Sequence, residues 1–154
     1  MNQQGHNYLM ESDEESVRLD LKTDTDAVEK QALWAGIEPG MRVADLGCGA
    51  GKTTFVLNNL VGPAGSVVGI DMSQQRLDYA GSHYSHAGIE YICEHITAID
   101  TGQRRVTTDH QTLSYDWLVL ALGCRTLIDE VDGLPEQWGK SVHGFYTPDS
   151  ALRL

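Results

Sequence analysis

Short apolar runs alternate with amphipathic stretches over the middle of the chain. The runs Arg42–Leu46, 66–70 and Ile89–Cys93 are rich in Val, Ile and Leu and are bounded by glycine or polar turn residues. Such runs are typical of strands that are buried in a parallel sheet. Residues 51–61 and 73–84, which separate them, carry apolar side chains at helical spacing. The pattern predicts an α/β fold that is Rossmann-like and doubly wound, with a mainly parallel sheet.

The second half of the chain has a different pattern. Residues 96–108 alternate like a β-hairpin with a turn at Thr101 and Gly102, and a buried strand over 115–123 follows without an intervening helix. We expect this strand to lie beside Ile89–Cys93, with the β-hairpin as an insertion in the second half of the fold. One sheet face would then be thinly covered, which favours self-association into a homo-oligomer.

Both ends of the chain carry weaker signals. Residues 1–30 are acidic and polar, with apolar side chains interspersed. They form either a solvated terminus or a segment of which a part folds over the protein as a lid. A helix is predicted to start at Asp26, and Ser73 is predicted to cap the helix 73–84. Residues 147–149 are also typical of a helix start, but few residues follow them, which predicts a truncated piece of a longer chain.

A glycine-rich turn after the first strand is the most specific feature. Gly47, Gly49 and Gly51 occupy alternate positions after Asp45, and the next apolar run ends on Asp71. Glycines let the backbone turn tightly and approach a ligand, and an acid at the tip of the following strand can accept hydrogen bonds from both ribose hydroxyls. The spacing predicts a nucleotide-shaped pocket at the carboxyl end of the sheet.

Spacing also separates this turn from two other glycine loops. The phosphate loop of nucleoside triphosphatases needs a glycine five positions before Gly51, where Leu46 stands. The dinucleotide fingerprint needs a third glycine where Lys52 stands. An ordinary glycine turn of an α/β protein is the remaining alternative, but the acids Asp45 and Asp71 on either side favour a ligand site.

The pattern Asp-x-Gly-x-Gly-x-Gly over residues 45–51, followed by Asp71, resembles class I S-adenosylmethionine (SAM) methyltransferases, and the likeness covers residues 8–96. This resemblance implies SAM as the cofactor and methyl transfer to a small-molecule acceptor. The amino-terminal portion is similar to that of quinone-methylase-like members of the family, which implies a quinone-like acceptor. In this family the acceptor site comes from a lid and from segments after the later strands, so no catalytic residue is assigned. The implied cofactor-binding residues are Asp45, Gly47, Cys48, Gly49, Gly51, Asp71, Met72, Glu94 and His95.

Residues 96–154 instead resemble the pyridine nucleotide-disulfide reductase superfamily, especially sulfide:quinone and type II NADH:quinone oxidoreductases. The likeness rests on Tyr-Asp-x-Leu-Val-x-Ala-x-Gly over 115–123 and on Gly133 and Leu134. We interpret the chain as a chimera that forms one composite domain, with a SAM-binding segment over residues 1–96 and a flavoprotein-like segment over residues 97–154, joined near 94–98. The alternative functions are an oxidoreductase fragment linked to FAD or NAD(P), and a nucleotide-binding remnant without turnover.

Composition and charge narrow the classes of protein to which the chain can belong. A chain of 154 residues with 41% hydrophobic residues suits an α/β domain with a core of its own. The formal net charge of −11 argues against a nucleic-acid partner, since a phosphate-binding surface needs clustered Lys and Arg. No apolar run approaches the roughly 18 residues of a membrane span, and three unclustered cysteines suit the cytoplasm. The scattered histidines predict no metal site.

Overall fold

The computed structural model describes residues 13–123 and 127–142, with side chains from Ser16 onwards. The described residues divide into two compact units, and residues 13–122 form the larger one. Its elements run in the order α1 (Asp13–Lys22), α2 (Thr25–Trp34), β1 (Arg42–Leu46), α3 (Lys52–Val61), β2 (Ser66–Asp71), α4 (Gln74–His83), β3 (Ile89–Cys93), β4 (Ile96–Asp100), β5 (Arg105–Thr108), β6 (Thr112–Ser114) and β7 (Trp117–Leu120). In the smaller unit the described residues form a 3₁₀ helix, Ile128–Glu130, and a one-turn helix α5, Leu134–Gln137. The helix start predicted at 147–149 lies outside the described residues.

Side-chain caps fix where two of the helices begin. The Asp24 carboxylate accepts hydrogen bonds from the backbone N–H groups of Asp26 and Ala27, each at 3.1 Å. Helix α2 therefore starts at Thr25, and the predicted start at Asp26 is wrong because Asp24 is the N-cap. Ser73 caps α4 as predicted.

The main sheet is parallel and has the strand order β3-β2-β1-β7. This confirms the Rossmann-like α/β fold. The expectation that the strand over 115–123 lies beside β3 is wrong, because β7 pairs with β1 at the opposite side of the sheet. Asp116, just before β7, explains this placement. Its carboxylate accepts from Nε and Nη2 of Arg42, at 3.0 and 2.9 Å, and from the Arg42 backbone N–H at 2.9 Å.

The predicted β-hairpin forms between β4 and β5, and β6 extends it into an antiparallel sheet of three strands, the meander. This meander takes the place of a helix between β3 and β7. Its buried Val106 packs with Leu46 and Ile70 of the main sheet and with Tyr115. The second sheet face is therefore covered, and the expectation of thin coverage is wrong.

The opposite sheet face packs against helices. The residues of this cluster come from α2, the α2–β1 connection, β1, α3 and β2, and they are Ala32, Ile37, Val43, Leu57, Val61 and Val67. The main sheet thus has helices on one side and the meander in contact with the other. Within the ranges 13–123 and 127–142, no helix combines the length and the apolar character that crossing a bilayer requires.

Candidate functional site

Two of the three glycines in the turn after β1 are required by the chain's own packing. Gly47 and Gly51 have left-handed φ angles of 79° and 83°. A Cβ on Gly47 would lie 2.7 Å from the carbonyl carbon of Ala121. A Cβ on Gly51 would lie 2.6 Å from both the Ala80 Cβ and the Tyr91 Oη. Any side chain at either position would displace β7 or the packing between α4 and β3.

Gly49 differs from its two neighbours because it has room. Its φ is 54°, and the nearest atom to a Cβ built there is Cδ1 of Leu19 in α1, at 3.8 Å. Apart from Gly49 and its two chain neighbours, no backbone atom of the residues that the structure describes lies within 4 Å of that position. Of the three glycines, Gly49 is therefore the one whose backbone a ligand can approach once Leu19 moves aside.

Asp71 ties this turn to the end of β2. Its Oδ2 accepts from the Gly49 N–H at 2.9 Å, and its Oδ1 accepts from the Ser73 N–H at 3.0 Å. Nη1 of Arg76 lies 4.0 Å from Oδ1. Each carboxylate oxygen has a second lone pair, so Asp71 can accept hydroxyl groups without losing these backbone bonds. The carboxylate and the turn glycine predicted from the sequence thus lie side by side.

Asp45 lies beneath the turn and has only 1% of its surface exposed. Its Oδ2 accepts from Oγ1 of the buried Thr54 at 2.7 Å, which connects β1 to the first turn of α3. Burial raises the pKa of Asp45 to about 6; the hydrogen bond from Thr54 opposes this shift and the charge of Asp71 adds to it. In this conformation Asp45 supports the turn from inside, and its predicted contact with the cofactor stays a prediction.

The pKa of Asp45 gives a pH dependence of stability. Because about 6 lies above the ordinary value of 3.8, the folded state binds more protons than the unfolded state between these values. The free energy of unfolding then falls as pH rises through this window. Each pKa unit corresponds to about 1.36 kcal/mol. Between about pH 3.5 and 7, the free energy of unfolding of the wild type should therefore fall by about 3 kcal/mol relative to that of Asp45→Asn.

Urea denaturation at the two pH values measures this difference. Asp78→Asn is the matched control because Asp78 is exposed on α4, and its profile should follow that of the wild type. Parallel profiles for Asp45→Asn and the wild type would show that folding does not raise the pKa of Asp45.

Two other residues that were predicted to bind the cofactor, Cys48 and Met72, differ in their exposure to solvent. Cys48 is buried in the turn, where its N–H donates to the Ile70 carbonyl at 3.2 Å. Burial raises the pKa of the Cys48 thiol, which keeps it protonated. Met72 follows Asp71 with 68% of its surface exposed, so its side chain is available to a ligand.

Glu94 and His95 follow β3, but the Glu94 side chain is engaged by the meander. Its Oε2 accepts from Thr108 Oγ1 at 2.6 Å, and Gln111 Nε2 donates to its Oε1 at 3.2 Å. His95 is exposed. Ligand atoms of Glu94, Asp109 and His110 lie within 4.8 Å of one another, although the carboxylate of Glu94 already has these partners. The implied cofactor contact of Glu94 or His95 stays a prediction.

Sequence reasoning left open whether the amino-terminal segment is a lid, and it missed both the contacts of α1 and the role of Thr54. Helix α1 places Leu19 in front of Gly49, and Lys52 of α3 reaches the backbone carbonyl of Asp20 at 2.7 Å. The apolar positions of the amino-terminal segment were the only signal for such a contact. Thr54 gave no signal, because a threonine in the first turn of a helix is common.

Residues 37–116 match the methyltransferase domain family. The chain belongs to this family. It is 48% identical over 48 residues to 2-phytyl-1,4-naphthoquinone methyltransferase of Synechococcus elongatus, which covers 31% of this chain and 21% of that protein. It is 25% identical over 162 residues to the ubiquinone/menaquinone biosynthesis C-methyltransferase of Xylella fastidiosa, which covers 90% of this chain and 64% of that one. A solved protein-L-isoaspartate O-methyltransferase aligns with a TM-score of 0.47 and 21% identity, over 64% of this chain and 29% of that one.

SAM is the cofactor of this methyltransferase domain. The residues at the turn suit it. Asp71 retains acceptor capacity for a ribose diol, and Gly49 has no side chain to obstruct the approach of a ligand to the backbone. The chain spans less than two thirds of the length of these curated relatives.

Proposed function

We propose that this chain is the cofactor-binding portion of a SAM-dependent methyltransferase that acts on a small, quinone-like acceptor. The observation that carries the proposal is the bond between the Asp71 carboxylate and the Gly49 N–H, at the carboxyl end of parallel strands. This is where nucleotide ligands bind in open α/β sheets. The names of the relatives from Synechococcus elongatus and Xylella fastidiosa support a quinone-like acceptor.

The chain's own residues would act chiefly by positioning. Bound SAM supplies an electrophilic methyl group on a sulfonium. Asp71 would hold the ribose hydroxyls, Gly49 would admit the ligand to the backbone, and Met72 would lie against the adenine. Asp45 and Thr54 would keep the turn in place from beneath. Holding two reactants in line removes much of the entropic barrier, so transfer needs no nucleophilic side chain of the protein.

Mass spectrometry of the ligand that copurifies with the protein tests this proposal. We expect SAM or S-adenosylhomocysteine, with micromolar affinity as an order of magnitude for a pocket of this kind. We expect no stoichiometric FAD, because Lys52 occupies the third glycine position of the dinucleotide pattern and its ammonium group is bound to Asp20. A yellow protein with a flavin absorption band near full occupancy would reverse this assignment.

An oxidoreductase fragment linked to FAD or NAD(P) is the second candidate. The observation that favours it is the three-stranded meander between β3 and β7. The flavoproteins that residues 96–154 resemble place a β-meander before the segment Tyr-Asp-x-Leu-Val-x-Ala-x-Gly. On this proposal the chain has two origins, 1–96 and 97–154, joined near 94–98. Absorption spectroscopy after incubation with FAD distinguishes the two candidates.

We further expect that the chain alone transfers methyl groups poorly. The meander occupies the place of a helix next to the cleft, and within the described residues β7 is an edge of the main sheet, with Leu120 and Leu122 exposed. An apolar sheet edge favours pairing with a second copy. Transfer of labelled methyl to quinols should be near background, and light scattering should show a dimer or larger species. A monomer that turns over a quinol at about one per second or faster would contradict both expectations.

A further inference from the structure

Helix α1 lies against the glycine turn through one apolar side chain. Leu19 faces Gly49, whereas Val17 and Leu21 of the same helix are 44% and 81% exposed. Of these three apolar side chains, only Leu19 thus faces the turn. The polar contacts of Asp20, the next residue, join α1 to the helices around the site.

The Asp20 carboxylate binds groups from two different segments of the larger unit. Tyr84 Oη donates to Oδ1, Tyr79 Oη donates to Oδ2 at 3.0 Å, and Lys52 Nζ lies 3.1 Å from Oδ1. The same ammonium group also donates to the Asp20 backbone carbonyl at 2.7 Å. Lys52 opens α3, Tyr79 belongs to α4, and Tyr84 follows α4. One side chain therefore links α1 to both helices that frame the turn, and we call this set of four residues the latch.

The three donors of the latch stabilise the negative charge of the Asp20 carboxylate. Burial of the Asp20 carboxyl raises its pKa, but hydrogen bonds from Tyr84, Lys52 and Tyr79 outweigh this and keep the pKa below its ordinary value. Asp20 is therefore a carboxylate at neutral pH, and hydrogen bonds to an ionised acceptor are about twice as strong as neutral ones. Loss of this single carboxylate removes all three side-chain contacts at once.

We propose that α1 is a lid over the cofactor cleft and that Asp20 is the positioning residue that latches it. The proposal rests on the proposed function for the identity of the ligand, but not for the existence of the latch. With the latch closed, Leu19 stands in front of Gly49, the position where the backbone is open to a ligand. Entry and exit of SAM then require the latch to open, so the latch sets the rates of both.

Hydrogen exchange of the α1 amides in the ligand-free protein tests the latch by itself. Asp20→Ala should raise exchange within α1 by about tenfold or more, although alanine favours helix formation. Asp78→Ala is the matched control, since Asp78 is exposed on α4 and its carboxylate accepts from Gln74 of the same helix. Tyr84→Phe removes one donor and should give an intermediate increase. Equal α1 exchange in Asp20→Ala and Asp78→Ala would overturn the latch.

Binding kinetics of labelled SAM test the lid. Asp20→Ala should accelerate both association and dissociation by about tenfold, and Asp78→Ala should leave both rates at the wild-type values. Unchanged rates in Asp20→Ala, with faster α1 exchange, would overturn the lid. Absence of SAM binding by the wild type would refute the proposed function, and the exchange result would then still decide whether the latch exists.

Discussion

Gly47→Ala is expected to bring the protein close to its unfolding threshold. Alanine at a φ of 79° costs about 1–2 kcal/mol, and its methyl group would overlap the Ala121 carbonyl group. That carbonyl cannot shift freely, because the Ala121 N–H donates to Leu46 in β1 at 2.8 Å. Overpacking of this kind adds about 1–3 kcal/mol. The sum is a large fraction of the roughly 5–15 kcal/mol that stabilises a typical domain.

Gly40→Ala provides the control for this measurement. Gly40 has a similar φ of 85°, but among the described residues no atom outside its chain neighbours lies within 4 Å of a Cβ built there. Urea denaturation should therefore show a loss of only about 1–2 kcal/mol for Gly40→Ala. If Gly47→Ala costs no more than Gly40→Ala, the close approach of the β7 end to the turn is wrong.

Asp71→Ala is expected to weaken SAM binding by about 100-fold or more. On the proposed function the substitution removes two hydrogen bonds from the ribose to a charged acceptor, each worth about 1.5–3 kcal/mol. It also releases the backbone N–H groups of Gly49 and Ser73, so the turn loses its tie to β2. Titration calorimetry with SAM measures the change directly.

Two further variants provide controls for this measurement. Asp71→Asn has a side chain of similar shape and keeps one acceptor oxygen. Its affinity for SAM should therefore lie between those of the wild type and Asp71→Ala. Asp78→Ala removes an exposed charge from α4 and should bind SAM with wild-type affinity. Equal affinity of the wild type and Asp71→Ala would remove Asp71 from the cofactor site.

The elements that could be predicted from the sequence depend on neighbouring residues. Strand β1 and strand β3 have the predicted bounds, and α3 begins at Lys52, one residue from the predicted start. Ser73 could be recognised as a cap because a cap acts within one turn of its helix. The glycine turn and Asp71 could be paired because successive parallel strands end at the same sheet edge.

The features that sequence reasoning missed depend on residues that are distant along the chain. The place of β7 beside β1 is fixed by Arg42 and Asp116, which lie 74 positions apart. The latch joins Asp20 to Tyr84 across 64 positions, and each residue alone looks like ordinary surface. No local pattern indicates that Glu94 turns toward Thr108, since a glutamate that follows a strand has many possible partners.

The pairing of β1 with β7 also determines when the sheet can be completed during synthesis. Arg42 and Asp116 are 74 positions apart, so a ribosome adding about 5–20 residues per second leaves one edge of β1 unpaired for about 4–15 s. During this interval β2 and β3 can already pair. The free edge of β1, which in the finished sheet lies between β2 and β7, is open to pairing with other chains. The nascent chain is therefore most prone to aggregation just before β7 emerges, and chaperone binding should concentrate on that stage of translation.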